Sequence, residues 1–164
     1  MAALEDIDAR RELAALARDP QAWLGPDDMQ WAASLAHRAR RASTALSDAP
    51  LAPPVDLETA LAAAARLFDA GLFFEVHEVL EPHWLVAREE SREALQGLIQ
   101  IAVGWQHAAN GNLAGGRSLL LDGATRLHGR RLGGIDFDSF ARAAHEAAGT
   151  LAAATPPAFP RLTR

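Results

Sequence analysis

A histidine and three glutamates interrupt an apolar, aromatic-rich stretch near the middle of the chain, FFEVHEVLEPHW at residues 73–84. If this stretch is helical, His77 and Glu81 project from the same face, together with Trp84, because residues four apart are neighbours on a helix. An imidazole and a carboxylate at this spacing can bind one divalent cation. A carboxylate among aromatic residues is costly unless it is paired, hydrogen-bonded or bound to a metal, so Glu81 requires a partner.

Two side chains do not complete the coordination of a metal ion, so the metal hypothesis requires further ligands. His107 is the expected third ligand, and Glu78 is a candidate for the fourth, with Glu75 as an alternative. His107 comes close if the next helix folds back antiparallel on the motif helix, whereas Glu78 and Glu75 lie on the motif helix itself. Other side chains of the same region are then expected to orient a ligand or a bound water: Gln96, Gln100 and Trp84.

Three interpretations of this cluster are open. In the first, the residues bind a divalent cation of unspecified identity. In the second, Glu81 accepts hydrogen bonds from His77, Trp84 or Gln100, and the resulting buried network only fixes the helix register. In the third, the same groups perform acid–base catalysis without a metal, with Glu78 as the candidate base. The residue types alone do not establish that any reaction is catalysed.

The residues around the cluster resemble domain-of-unknown-function family 309, a family of small helical proteins whose hallmark is the motif HxxxExxW. In this chain the motif residues are His77, Glu81 and Trp84. The resemblance extends to the preceding FDAGLFFEVHE and the following QGLIQIAVGWQHAANGNLAGGRSLL, roughly residues 61–121. It implies a compact all-α bundle with a suspected metal site, and it implies no particular reaction.

Helical periodicity and helix-breaking residues predict an all-α, up-and-down bundle of about five helices, preceded by an amino-terminal two-helix arm. We expect the arm at residues 1–46, a proline-rich linker at 47–55, the bundle at 56–154 and an extended tail at 155–164. Within the bundle, the motif helix ends near Ala87 and the next one runs from Ser91 to about Gly111. We assign no β-hairpin. The glycines around residues 111–116 are expected to allow close helix packing.

The amino-acid composition limits the kinds of function that the chain can have. The 164 residues are 49% hydrophobic, which is enough for one buried core. The formal net charge of −5 argues against nucleic-acid binding, so the run HRARR at residues 37–41 is interpreted as a solvated helix face. The absence of cysteine excludes thiolate metal sites and is compatible with a reducing compartment.

No apolar run approaches the length of a membrane span, and the first residues lack the pattern of a signal peptide. A soluble cytoplasmic protein is therefore expected. Trp31 and Leu35 share one face of the second arm helix, which predicts that this face packs on the body or forms a homo-oligomer. The rival function to metal binding is a noncatalytic helical interaction module, in which the His/Glu residues are only structural.

Overall fold

The computed structural model describes residues 7–47 and 55–162, and within these ranges the chain is predominantly helical. The predicted all-α bundle is confirmed. The seven α-helices are α1 (Ile7–Arg18), α2 (Ala32–Ser47), α3 (Leu57–Asp69), α4 (Phe73–Val86), α5 (Glu89–Ala109), α6 (Leu113–Leu127) and α7 (Asp138–Gly149). Two short 3-10 helices, Pro20–Trp23 and Pro26–Trp31, connect α1 to α2.

The start of the bundle is defined by a capping box. The carboxylate of Asp56 accepts a hydrogen bond of 2.8 Å from the backbone N–H of Thr59, and the Thr59 hydroxyl accepts from the backbone N–H of Asp56. These contacts satisfy two N–H groups that the first turn of α3 leaves without helical partners. The hydrogen bond from the Thr59 N–H also lowers the pKa of the Asp56 carboxyl below its usual value.

Each helix of the bundle packs against the helix that follows it, with α5 between α4 and α6. The contact between α5 and α6 is unusually close because glycines face each other across it. A Cβ atom placed on Gly123 would lie 2.7 Å from the carbonyl oxygen of Gly97, and one on Gly116 would lie 2.8 Å from that of Gly104. The prediction that the glycines at residues 111–116 serve close helix packing is therefore confirmed for Gly116 and wrong for Gly111, where an added Cβ would meet nothing within 4 Å.

A small β-hairpin between α6 and α7 corrects our expectation that the chain contains none. Arg131–Leu132 (β1) pairs antiparallel with Ile135–Asp136 (β2), with Leu132 opposite Ile135. Gly133 and Gly134 form the connection and have φ values of 55° and 80°. Two consecutive residues with positive φ are typical of a tight hairpin turn, so the Gly-Gly pair was the overlooked sequence signal.

The tail after α7 forms no helix or strand through residue 162, and its extended conformation stays a prediction. It is nevertheless anchored. Phe159 is buried against Phe68 and other core rings, and its backbone N–H donates to the carboxylate of Asp69 over 2.9 Å. Arg161 pairs with the same carboxylate over 2.5 Å. The tail therefore belongs to the wall of the bundle.

The arm helices α1 and α2 pack on each other, and the second half of α2 also contacts the bundle. Ala42 and Ala45 pack against the core, and Arg38 forms an ion pair of 2.6 Å with Glu75 of α4. Trp31, by contrast, is 59% exposed. Residues 48–54 of the predicted linker lie outside the described ranges, so its extent stays a prediction.

Among the residues described, no helix combines the length and apolar character needed to cross a bilayer.

Candidate functional site

Helix α4 brings together the three central residues of the motif stretch. The Nδ1 atom of His77 lies 3.0 Å from Oε1 of Glu78, and its Nε2 atom lies 3.9 Å from Oε1 of Glu81. One ligand atom from each side chain can be chosen so that all three lie within 4.8 Å of one another. In the described part of the chain, these three residues form the one group of histidine and acidic side chains with metal-ligand spacing. We call it the α4 cluster.

The α4 cluster opens to solvent, because the opposite face of the helix is the one that enters the core. Val76, Val79 and Leu80 are almost completely buried. The side chains of His77, Glu78 and Glu81 are 28%, 39% and 44% exposed. A fully buried polar network was one interpretation of these residues, and the exposure of their side chains does not support it. Helix α4 continues as one helix through Pro82, although Pro82 has no N–H to donate to the Glu78 carbonyl.

The two ring nitrogens of His77 face different carboxylates, so each nitrogen can have a different role. At 3.0 Å, the Nδ1–Glu78 contact has hydrogen-bond length, whereas the 3.9 Å separation between Nε2 and Glu81 is too long for one. A hydrogen bond from Nδ1–H to Glu78 would place the proton on Nδ1 and leave the Nε2 lone pair directed toward Glu81. A carboxylate that orients an imidazole in this way is a common feature of histidine metal sites.

His107, which the sequence predicted as the third ligand, is not a member of the α4 cluster. It lies in the last turn of α5, where its Nδ1 atom is 2.8 Å from the amide nitrogen of Asn112. The same Asn112 side chain accepts a hydrogen bond from the backbone N–H of Gly115 and caps α6. His107 therefore participates in the corner between α5 and α6. Glu78, the candidate fourth ligand, is the residue that the fold places beside His77.

The side chains expected to orient a ligand are near α4 but make no hydrogen bond to the α4 cluster. The Nε1 atom of Trp84 and the Oε1 atom of Gln100 are buried and have no hydrogen-bond partner among the residues described. Trp84 instead packs under Arg92, whose guanidinium carbon lies 4.2 Å from the ring centroid. Gln96 is half-buried on α5. The predicted roles of Trp84, Gln96 and Gln100 toward a ligand stay predictions.

Two further features surround the α4 cluster, and the second of them was not predicted from the sequence. Phe74 is 50% exposed, and its ring centroid lies 6.1 Å from that of His77, so an apolar surface borders the α4 cluster. The ion pair between Arg38 and Glu75 joins the arm to the motif helix one turn before the cluster's centre. The run HRARR was interpreted as a solvated helix face from the net charge of the chain, and the pairing of its Arg38 with a carboxylate 37 residues away was not foreseen.

The site and fold thus define a small all-α bundle with a partly exposed His/Glu cluster on one helix. Residues 61–119 of this chain match the family model described as Domain of unknown function (DUF309). The resemblance inferred from the sequence is confirmed over that range, which contains the α4 cluster and His107. The arm and the tail lie outside it. Comparisons with curated proteins and with solved structures give no match.

Proposed function

We propose that the α4 cluster binds a divalent metal ion, with His77 Nε2 and Glu81 as direct ligands and Glu78 as the carboxylate that orients the imidazole. The observation that carries this proposal is the arrangement of two carboxylates around the two nitrogens of one imidazole. Nitrogen and oxygen donors of this kind suit zinc, manganese, iron(II) and nickel. His107 is not included in this proposal because it is not a member of the α4 cluster.

The dimensions of the cluster fit a metal ion. Imidazole and carboxylate ligands lie about 2.1 Å from such an ion, so two of them bound to one ion are at most about 4.2 Å apart. The 3.9 Å between His77 Nε2 and Glu81 Oε1 falls within this limit. Ligand atoms of all three side chains lie within 4.8 Å of one another, and in this proposal Glu78 contacts Nδ1 of the imidazole instead of the ion.

An ion held by so few side chains keeps several coordination positions for water or for a small molecule. When bound, it would supply Lewis acidity at the surface of α4, next to the exposed ring of Phe74. The protein residues would hold the ion, orient the imidazole and offer an apolar contact to a bound molecule. This arrangement supports metal binding, and it favours no particular reaction or substrate.

The direct test is calorimetric titration of the chelator-treated, full-length protein with Mn²⁺ and Zn²⁺. We expect one ion per chain and a higher melting temperature in the presence of the ion, because an ion that binds only the folded state stabilises it by mass action. His77→Ala should abolish both effects while the protein stays folded. His145→Ala is the matched control, because His145 is an exposed histidine on α7. If His77→Ala binds the ions as the native protein does, the proposal is wrong.

Two conservative variants separate a ligand from an orienting residue. Glu81→Gln removes a direct ligand and should abolish binding. Glu78→Gln removes only the partner of Nδ1 and should weaken binding about 10–100-fold, as is typical for such partners. Binding should also weaken on acidification, because the ion requires a neutral imidazole. Equal loss of binding in both variants would mean that Glu78 is itself a ligand.

A second candidate function is favoured by the exposed apolar side chains of the arm. Trp23, Met29 and Trp31 are 53%, 39% and 59% exposed. We propose that this surface, at the 3-10 helices, forms a homo-oligomer of the chain, since exposed tryptophans are enriched at protein interfaces. Light scattering after size exclusion should show a dimer that Trp31→Ser dissociates. A monomeric native protein at all concentrations would contradict it.

We retain the cytoplasm as the proposed location, because the chain contains no cysteine.

A further inference from the structure

A cavity of about 600 Å³ lies away from the α4 cluster, where the arm, the α3–α4 turn, the end of α5 and the tail meet. None of His77, Glu78 and Glu81 lines it. Its volume is within the range of small-molecule sites, about 300–1,000 Å³. Most of its lining residues have apolar side chains, although its exposed surface is more polar than apolar; the larger apolar residues are Phe68, Phe73, Trp105, Leu151, Pro156 and Pro157. Two charged residues, Arg41 and Asp69, complete the lining.

The carboxylate of Asp69 is already neutralised. Its Oδ1 atom accepts a hydrogen bond from the backbone N–H of Phe159, and its Oδ2 atom pairs with Arg161 over 2.5 Å. Both contacts hold the tail across the side of the bundle, so that Pro156 and Pro157 form part of the cavity wall. Asp69 therefore serves to fix the tail, and it leaves the cavity without an acidic group that is free to pair.

The side chain of Arg41, in contrast, makes no hydrogen bond or ion pair with any residue that the structure describes. The neighbouring arginines of α2 are engaged: Arg38 pairs with Glu75 over 2.6 Å, and Arg40 donates to the carbonyl of Ala17 over 3.4 Å. The cavity thus has one cationic group with its donors available. A guanidinium is always charged and binds carboxylates through two parallel hydrogen bonds.

Gly71 allows this guanidinium to approach the main chain. A Cβ atom at Gly71 would lie 2.8 Å from Nη1 of Arg41, and the backbone there has a φ of 71°. A side chain at this position would collide with the guanidinium in its observed place. Glycine in the α3–α4 turn therefore positions a charge from the arm at the entrance of a cavity in the bundle.

We propose that this cavity binds a small organic monocarboxylate, whose carboxylate pairs with Arg41 and whose apolar body lies between the phenylalanine, tryptophan and proline walls. The charge of the ligand follows from the single available cation. Its apolar body is inferred from the aromatic and proline side chains among the lining residues, from which phosphate or another fully hydrated anion would gain nothing. The site is independent of the α4 cluster, and neither requires the other.

Calorimetric titration of the full-length protein with 3-phenylpropionate and octanoate tests the proposal. We expect at least one of them to bind with one molecule per chain, while the corresponding uncharged amides and inorganic phosphate bind at least tenfold more weakly. Trp105 is the tryptophan that lines the cavity, so binding should change the protein's fluorescence, and Trp105→Phe should remove that change. Absence of binding by both carboxylates would overturn the proposal.

Arg41→Gln should weaken carboxylate binding at least tenfold, because the neutral amide loses both the charge and the paired donors. The matched control is Arg88→Gln, an exposed arginine before α5 that does not line the cavity. His77→Ala should bind the carboxylate as the native protein does. Equal binding by Arg41→Gln and the native protein would refute the role of the guanidinium, and equal binding of amide and carboxylate would refute the choice of an anionic ligand.

Discussion

Replacement of Gly123 by alanine tests the close contact between α5 and α6, which determines where α5 lies beside the motif helix. Two effects oppose each other. Alanine is a better helix former than glycine by about 0.8–1.0 kcal/mol in a helix interior, which stabilises α6. The added methyl group, however, would lie 2.7 Å from the carbonyl oxygen of Gly97 and 2.9 Å from a side-chain carbon of Ile101.

The steric effect should exceed the gain in helix propensity. The atom that the new methyl group meets at Gly97 belongs to the backbone of a packed helix, so it cannot move away as the end of a flexible side chain would. Overpacking of a filled core costs typically about 1–3 kcal/mol. After subtraction of the propensity gain, we expect Gly123→Ala to lower the free energy of unfolding by up to about 2 kcal/mol.

The measurement is urea denaturation followed by circular dichroism, together with thermal melting. A loss of 1 kcal/mol corresponds to a decrease in melting temperature of about 2–4 °C for a chain of this size. Gly149→Ala is the matched control, because Gly149 also lies in a helix and an added Cβ there meets nothing within 4 Å. That variant should be neutral or slightly stabilised. If Gly123→Ala stabilises the protein as Gly149→Ala does, the two helices do not approach as closely as described.

Two further predictions concern single carboxylates. Glu81→Gln and Glu81→Ala should each change the free energy of unfolding by less than about 0.5 kcal/mol. The reason is that the Glu81 side chain is 44% exposed and its nearest described partner, His77, is beyond hydrogen-bond distance. If urea denaturation shows a loss of about 1–3 kcal/mol for Glu81→Ala alone, the structural network is supported instead. The contribution of the Asp56 cap to the stability of the fold should depend on pH. Because folding lowers the pKa of the Asp56 carboxyl, this contribution is present above the ordinary pKa of 3.8 and is lost as the pH falls below that value. Asp56→Asn keeps a capping side chain without a charge. The melting temperature of this variant should therefore decrease less steeply between pH 4 and pH 2 than that of the native protein. Equal dependence of the two melting temperatures on pH would contradict the titration of Asp56.

Much of the fold was predictable because its signals are local. Asp56 caps α3 at the predicted start of the bundle, and the motif helix ends at Val86, one residue before the predicted position. Prolines and glycines marked most of the other helix ends. The hairpin at Gly133 and Gly134 was missed although its signal is also local, because strands of two residues are too short to show alternation of polar and apolar side chains.

The candidate site was predictable in part, for a similar reason. His77 and Glu81 share a face of any helix that contains them, so their proximity depends on one element alone. The identity of a third ligand depends on a side-chain rotamer or on the packing of a second helix, and neither can be predicted from the spacing of residues in the sequence. The sequence interpretation chose His107, whereas the structure places Glu78 beside the imidazole and His107 in the α5–α6 corner.

The sequence by itself determined the all-α class, the main helix boundaries, the family resemblance over the middle of the chain and the His77–Glu81 pair, because periodicity, capping and i,i+4 spacing act within one helix. Only the tertiary structure decided which residues from distant parts of the chain meet. It placed Arg41 of the arm against Gly71, and it fixed the tail at Asp69. It also turned the α4 cluster toward solvent instead of the core. These outcomes depend on how amphipathic surfaces pack across large sequence separations, and no local pattern encodes that choice.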